Sequence, residues 1–599
     1  MGRRVSTIGG LPIRLAEWLA PNERYQRRYL EVVPQSESLS GDVAGLVADA
    51  KFRPWVVRSW ERGEGFDVWS RDQHGYRQAD GVRPHPTDDG LILSFDAEIA
   101  QGQSGNFGDG GVFGYAGGTV YTGDDSDIYG FSINTKVFLA ARATGGGTSD
   151  IASIGYDANQ VHTLTGHQNK TIRRHNGGNS QVYGTGTGDD FTNFPLLVTW
   201  GSRVFALDGV ELYELDITTT NTRTLVGDPD LGAPSGSLNF PQSISLSDVG
   251  PIWLVQDHLG QTKIYEYNVA SDTQRVVAAL PARFLVTPSI FFAKGFYWVS
   301  YHTSPTFQAG KAFLFAVQGN QQSILGPFRT TDDDALPIIL GVIGSEILIG
   351  LSDRIWAYDL DSGGIVHYGD DIGIIEGGVI VADAVLTNIQ SSFQVGMTDG
   401  TQYQTSGTIH LGWHDWDYPG LLKTFLDLEV ITAPLPANTT VTAAVAVDGS
   451  TTYTALSGTH QTDNATRFKF TVTNPTSAPI IGKRFEVRLT LTGSGSNTPT
   501  ILEVSGRATG VESILEIAMQ IDCGTADRQV DHVLLAALNA LKTTQTPVTF
   551  SDVFQKRERD APDSFVVTVQ NVVTPSIEQA QKDQTPPSAL LEVRVMNLV

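Results

Sequence analysis

One five-residue phrase returns through the middle of this chain and limits what the chain can fold into. It runs small or apolar, aromatic, any residue, apolar, then Asp, Asn or Gln. It reads Gly130-Phe131-Ser132-Ile133-Asn134, Leu212-Tyr213-Glu214-Leu215-Asp216 and Ile264-Tyr265-Glu266-Tyr267-Asn268. Further copies are Leu314-Phe315-Ala316-Val317-Gln318 and Ala357-Tyr358-Asp359-Leu360-Asp361, and a worn one, Ile172-Arg173-Arg174-His175-Asn176, fills the gap after the first. Successive copies lie 40 to 52 residues apart. A period of that length, with four short strands per repeat, is that of a β-propeller blade. Residues 196–199, 203–207, 212–216 and 222–226 supply four such strands in one repeat. Alternation in IYEYN and WAYDL sets one face against a neighbouring blade, and the closing Asp or Asn suits the tight turn that follows. With a weak copy at Thr401-Gln402-Tyr403, the pattern predicts six or seven blades across residues 96–409.

The flanks read differently. A chain of 599 residues exceeds one core and predicts about three or four domains. Residues 1–95 form an N-terminal attachment region in which Trp55, Trp60 and Trp69 sit among charges, with one or two strands carrying a long loop. Asn22 to Tyr29 reads as a short basic helix with Asn22 as its cap. A Gly- and Asp-rich tract then leads into the first blade. Residues 410–510 hold an aromatic linker, HLGWHDWDYPG, and six alternating strands of a β-sandwich. Residues 511–599 make a small C-terminal α+β domain whose amphipathic helix spans Val530 to Leu541. The expected fold is therefore mainly β: a propeller, then a β-sandwich, then a small α+β domain.

Chemistry is sparse. The net charge of −24 argues against a nucleic-acid surface, which needs clustered Lys and Arg. A single cysteine, Cys523, excludes an intramolecular disulfide framework and reads as an incidental thiol rather than a nucleophile. Arg14 and Glu17 interrupt the N-terminus, so no secretion signal is expected, and Leu336 to Leu351 reads as two buried strands around a turn rather than a membrane span. There is no GxSxG elbow, HExxH helix or phosphate-binding Gly-rich loop. Asp248 and Asp333 are solvated turn acids in preference to a glycosidase pair. The acidic turns Asp124-Asp125-Ser126-Asp127 and 359–363 lack the far ligand of a calcium loop. No catalytic residue, metal ligand or cofactor is expected. The remaining candidate is an aromatic patch, Trp413, His414, Trp416 and Tyr418, either a sugar-stacking or contact surface or packing between modules.

Several stretches resemble bacteriophage minor tail proteins. They are the DLEV strand near Phe425, the VAVDG turn at 445–449, GKRFEVRLTLTGSGSNTPTILEVSGRA at 482–508, the Ser-Trp-x-x-Gly phrase at 59–63, and VTFSDVFQKRERDAPDSFVVTVQNV near the C-terminus. The resemblance implies a virion structural protein of the distal tail, assembled in the host cytoplasm. It also implies other tail proteins as partners, a cyclic homo-oligomer, and a host cell-surface glycan as a further partner. From the charge and the short apolar run, neither a nucleic acid partner nor membrane insertion is expected. Two alternatives stand beside it: a glycan-binding propeller adhesin, and a propeller glycan hydrolase or lyase.

Overall fold

The computed structural model describes residues 6–8, 11–15, 28–31, 55–65, 75–85, 90–99, 112–116, 119–124, 127–132, 137–138, 151–156, 163–167, 170–175, 179–183, 191–216, 222–229, 243–257, 259–283, 286–303, 311–319, 321–330, 335–371, 373–381, 384–389, 394–416, 422–472, 480–510, 515–522, 532–544, 548–551, 564–573 and 588–595. The middle of the chain folds as a seven-bladed β-propeller. Each of the first five blades is a four-stranded antiparallel sheet, and the recurring phrase lies on the third strand of blades one to six. Those third strands include Glu211–Leu215, Gln261–Asn268, Ala312–Gln318 and Arg354–Asp359. The phrase aromatics fill the space between blades. Tyr213 packs with the buried cluster around Leu164 and Val204, Tyr265 with that around Phe205 and Trp253, and Phe315 with that around Ile252 and Val299.

The ring closes without a complete seventh repeat. Blade seven takes Ile375–Val381, Ala384–Ile389 and Gln394–Thr398 from the end of the propeller and Glu98–Ile99 from its beginning. Joining first and last strands in one sheet removes the open edge that a ring of separate blades would keep. Blade six gains a fifth strand in the same way, Phe95–Asp96 lying parallel to Ile365–Asp370. The weak copy expected at Thr401 to Tyr403 is therefore not a blade strand. The third strand of blade seven is Gln394–Thr398, with Gly396 where the phrase would be, and Tyr403 instead packs its ring 5.6 Å from Phe95.

Inner strands of adjacent blades are tied by hydroxyls. Ser153 donates to the Pro195 carbonyl and accepts from the Leu197 N–H; Ser243 accepts from Ile290 N–H and Ser289 from Ile339 N–H. Near the axis the blades converge, so a short Ser side chain can reach the next backbone and satisfy an N–H that would otherwise be stranded.

The second body is a nearly closed antiparallel sheet. All six strands expected between 421 and 510 are present: Lys423–Thr432, Thr440–Val447, Thr454–Ser457, Arg467–Val472, Phe485–Thr492 and Ile501–Gly510. Ser406–His414 and three N-terminal strands, Gln78–Asp80, Val82–Pro84 and Leu91–Leu93, extend them. The two ends of the strand path, Gln78–Asp80 and Val82–Pro84, are joined through Gly81 at a positive φ of 69°, so the sheet curls almost into a barrel. Its core holds Trp60, Leu428, Val441, Phe470, Leu489 and Val504.

A third sheet joins both ends of the chain. Leu11–Leu15, Ser6–Ile8, Val548–Ser551, Ser564–Val573, Ser588–Val595 and Leu515–Asp522 pair in that order, and Leu11–Leu15 pairs again with Leu515–Asp522 to complete the ring. The helix His532–Thr544 buries Leu535 and Leu538 and lies against Ser564–Val573.

Two expectations need correction. Among the described residues, 1–95 is not a unit of its own: its strands belong to the terminal ring, the barrel and the propeller rim. Strands of three to five residues bury too little to stand alone and must join a larger sheet. The basic helix expected to reach Tyr29 is overridden as well, since Arg28–Glu31 is a strand paired with Leu515–Ala518; residues 22–27 lie outside the described set.

Candidate functional site: the junction and the interblade grooves

The barrel meets blade six through the strands that its N-terminal segment contributes. Arg83, on the short strand Val82–Pro84, is only 1% exposed. Its guanidinium pairs with Glu346 of blade six at 2.6 Å and lies 4.9 and 4.6 Å from the ring centres of Phe95 and Tyr368. His367, fully buried on blade six, accepts the Gly81 N–H at Nδ1 (3.0 Å) and turns Nε2 toward Asp370 at 2.7 Å. An Nδ1 that accepts carries no proton, so the imidazole is held as its Nε2–H tautomer. Burial would raise the Asp370 carboxyl, but His367, Gln404 and Arg354 outweigh it and hold it below the ordinary range. Arg329 bridges to Glu64 (2.9 Å) and to the Ala79 carbonyl. Burial nevertheless lifts the Glu64 carboxyl above its usual value.

The Ser-Trp-x-x-Gly phrase sits at this seam. Trp60 enters the barrel core, 2% exposed, while Gly63 bridges to Ile365 on the outer strand of blade six and Glu64 N–H donates to the Ile365 carbonyl at 2.7 Å. Gly63 has φ +62°, and a Cβ there would strike the Ile365 carbonyl oxygen and Val366 Cγ1. Only glycine tolerates both the backbone angle and the approach.

The aromatic patch is drawn largely into the same body. Trp413, 8% exposed, lies on the strand Ser406–His414 opposite Glu486. Trp416, 5% exposed, meets Phe425 and Phe485 edge-on. His414 stacks on Trp55 at 5.1 Å. The stretch expected as a linker is thus strand through His414, because its alternate residues face the barrel core. Tyr418 lies outside the described residues. Trp413 and His414, with Trp55, Arg62, Tyr76 and Arg77, line a junction cavity of about 210 Å³. That volume is below the range usual for small-molecule sites.

A larger space opens elsewhere. Between blades five and six lies a groove of about 780 Å³ whose lining includes Phe296, Trp298, Ala316, Gln321, Tyr358 and Asp361. Neighbouring grooves are crossed by charged side chains. Glu214 of blade three holds Arg203, which also reaches the Tyr267 hydroxyl (3.4 Å) and the Val269 carbonyl (3.1 Å) of blade four. Glu266 of blade four accepts from the Tyr297 hydroxyl of blade five at 2.7 Å and pairs with Arg275. These groove residues were not identified from the sequence, although the phrase carries Glu214, Glu266, Ala316 and Tyr358 among them.

The other acids read as structural. Asp248 is an exposed turn residue. Asp359 accepts from Ser345, Ser362 and the Asp361 N–H; burial opposes ionisation there, yet these bonds lower its pKa. Asp333 and Cys523 lie outside the described residues, as do the side chains of 124–127. Among the described residues no group of three or more His, Cys, Asp or Glu is placed to hold a metal ion, and no helix is long and apolar enough to cross a membrane.

No protein-family model matches the chain, and no curated protein matches it. Among solved structures, the β-propeller domain of Cps50 (Swd1) from Myceliophteria thermophila is 10% identical, covering 51% of this chain and all of that one, with a TM-score of 0.37. The WD40 repeats of RRP9 give 10% identity, 51% and 99% coverage and a TM-score of 0.37. A streptogramin B lyase gives 13%, 51% and 97%, with a TM-score of 0.40. Likeness at this level carries no functional argument. The seven blades rest on the strand pairing itself, and the class they define is a β-propeller protein with a fused β-barrel-like sheet.

Proposed function

We propose that this chain is a structural component of a tailed-phage tail tip, assembling with other tail proteins as a cyclic homo-oligomer. On this reading the propeller is the face turned toward neighbours or the host surface, and the chain has no catalytic role. The observation that carries the proposal is the seam at 59–64. The Ser-Trp-x-x-Gly phrase, part of the resemblance to minor tail proteins, is the piece that anchors barrel to blade six. A chain that fixes two bodies against each other through the buried Arg83–Glu346 pair and the part-buried Arg329–Glu64 pair is suited to bearing load in an assembly rather than to hinged motion.

Peptide mass spectrometry on density-purified phage particles tests this. The proposal expects peptides of this chain in constant proportion to other tail components across the particle peak. Particles that lack the chain overturn it. A glycan-contacting role for the propeller is favoured by one further observation, the open groove between blades five and six.

A further inference from the structure

We infer that the groove between blades five and six is a binding site for a neutral saccharide, opened by the residue that the chain places in the variable slot of its recurring phrase. The inference deepens the host-contact part of the proposal above and rests on it.

The variable slot directly follows the phrase aromatic. It holds Glu214 in blade three, Glu266 in blade four and Ala316 in blade five, each at the same register of its blade, opposite Phe205, Ile252 and Trp298 of the second strand. In blades three and four the glutamate takes part in bridges that cross to the next blade. A methyl group cannot do this. Among the described residues no ion pair spans blades five and six, and the space that the carboxylate and its partner would occupy is the groove.

The lining indicates what fits. Phe296, Trp298 and Tyr358 form an aromatic floor, with Trp298 5.5 Å from Phe296 and 5.9 Å from Tyr358 between ring centres. The Trp298 indole N–H is already given to the Ala293 carbonyl at 3.2 Å, so the floor asks for apolar contact. At the edge stand Lys294, Gln321, Ser323 and Asp361. Their side chains have no hydrogen-bond partner among the described residues. One cation and one anion cancel, leaving interspersed donors and acceptors around ring faces. A sugar ring has the matching surface: a C–H face for the aromatic floor and hydroxyls at its rim that both donate and accept. A phosphate or an acidic peptide would instead need clustered cations. The volume falls within the range of small-ligand sites, about 300–1,000 Å³.

Saturation-transfer NMR and titration calorimetry on the full chain test this, using tetrasaccharides of glucose, galactose and N-acetylglucosamine as probes. At least one probe is expected to bind the native chain. Ala316→Glu, which restores the blade-three and blade-four arrangement, should weaken that binding by about tenfold or more. Ala316 is buried, so that variant can lose its fold; Gln321→Ala and Asp361→Ala, on exposed positions, should weaken binding while leaving the melting temperature unchanged. The inference is overturned if no probe binds, or if the edge variants bind as the native chain does. A negative result removes the saccharide site and leaves the tail proposal standing, since that proposal is read from particle composition.

Discussion

Arg83 ties the barrel to blade six through a guanidinium sealed between two aromatic rings, and Arg83→Ala should loosen that tie by an amount the contacts define. The substitution leaves the Glu346 carboxylate, its side chain 16% exposed, without its partner at 2.6 Å. Breaking a buried ion pair by deleting one member costs about 3–5 kcal/mol. The faces of Phe95 and Tyr368 lose a cation worth roughly 0.5–1 kcal/mol each. Water reaching Glu346 through the vacated space offsets part of this, so a net loss of about 4 kcal/mol is expected. A double-mutant cycle with Glu346→Gln isolates the pair, and a coupling of about 2–3 kcal/mol is expected for residues in direct contact. Scanning calorimetry provides the assay. The propeller and barrel should share a transition in the native chain and separate in Arg83→Ala. A cost below about 1 kcal/mol with no measurable coupling would refute the reasoning and assign the seam to apolar packing alone.

Gly63→Ala should undo the same seam from the backbone side, because its Cβ meets the Ile365 carbonyl; limited proteolysis between barrel and propeller should quicken, and an unchanged digestion pattern would contradict this. At His410, burial, then Arg77 and Arg488, lower the imidazole pKa from 6.5 to about 4. The unfolded chain therefore binds more protons across that window, and stability falls as pH drops from about 6.5 to about 4. His410→Asn should flatten this part of the melting-temperature profile, whereas a native-like slope would count against the assignment. Gly396→Val should destabilise blade seven by about 1–3 kcal/mol, since a Cβ there meets the Asp371 carboxylate and Thr387 Oγ1; a melting temperature equal to that of the native chain would show that the blade can yield.

The propeller was legible because its phrase is local: five residues with an aromatic and a turn former, repeated at blade spacing. The six barrel strands from 423 to 510 were legible for the same reason, since strict alternation announces a strand with one buried face. Strands without alternation were not. Gln78–Asp80, Val82–Pro84 and Leu91–Leu93 are three residues each, too short to carry a period; Gln78–Asp80 and Leu91–Leu93 are placed by partners more than 300 residues away, and Val82–Pro84 by its pairing with Leu91–Leu93. Ring closure by Glu98–Ile99 is hidden for the same reason. The aromatic linker misled in a different way: Trp413 and Trp416 look available in sequence, yet alternation along Ser406–His414 points Trp413 inward and Trp416 packs on Phe485. The open groove had a sequence signal that could have found it. Ala316 breaks the glutamate that the slot holds in the two preceding blades, and a break in a repeated position marks where a repeat stops serving its neighbours.

Electron cryomicroscopy of purified phage particles tests the central claim most directly, because it reports position, copy number and neighbours together. The account predicts a seven-bladed ring rigidly joined to a barrel at the distal tail, repeated around the tail axis, with the barrel docked on blade six in every copy. A tail tip into which no such ring and barrel can be placed would contradict it.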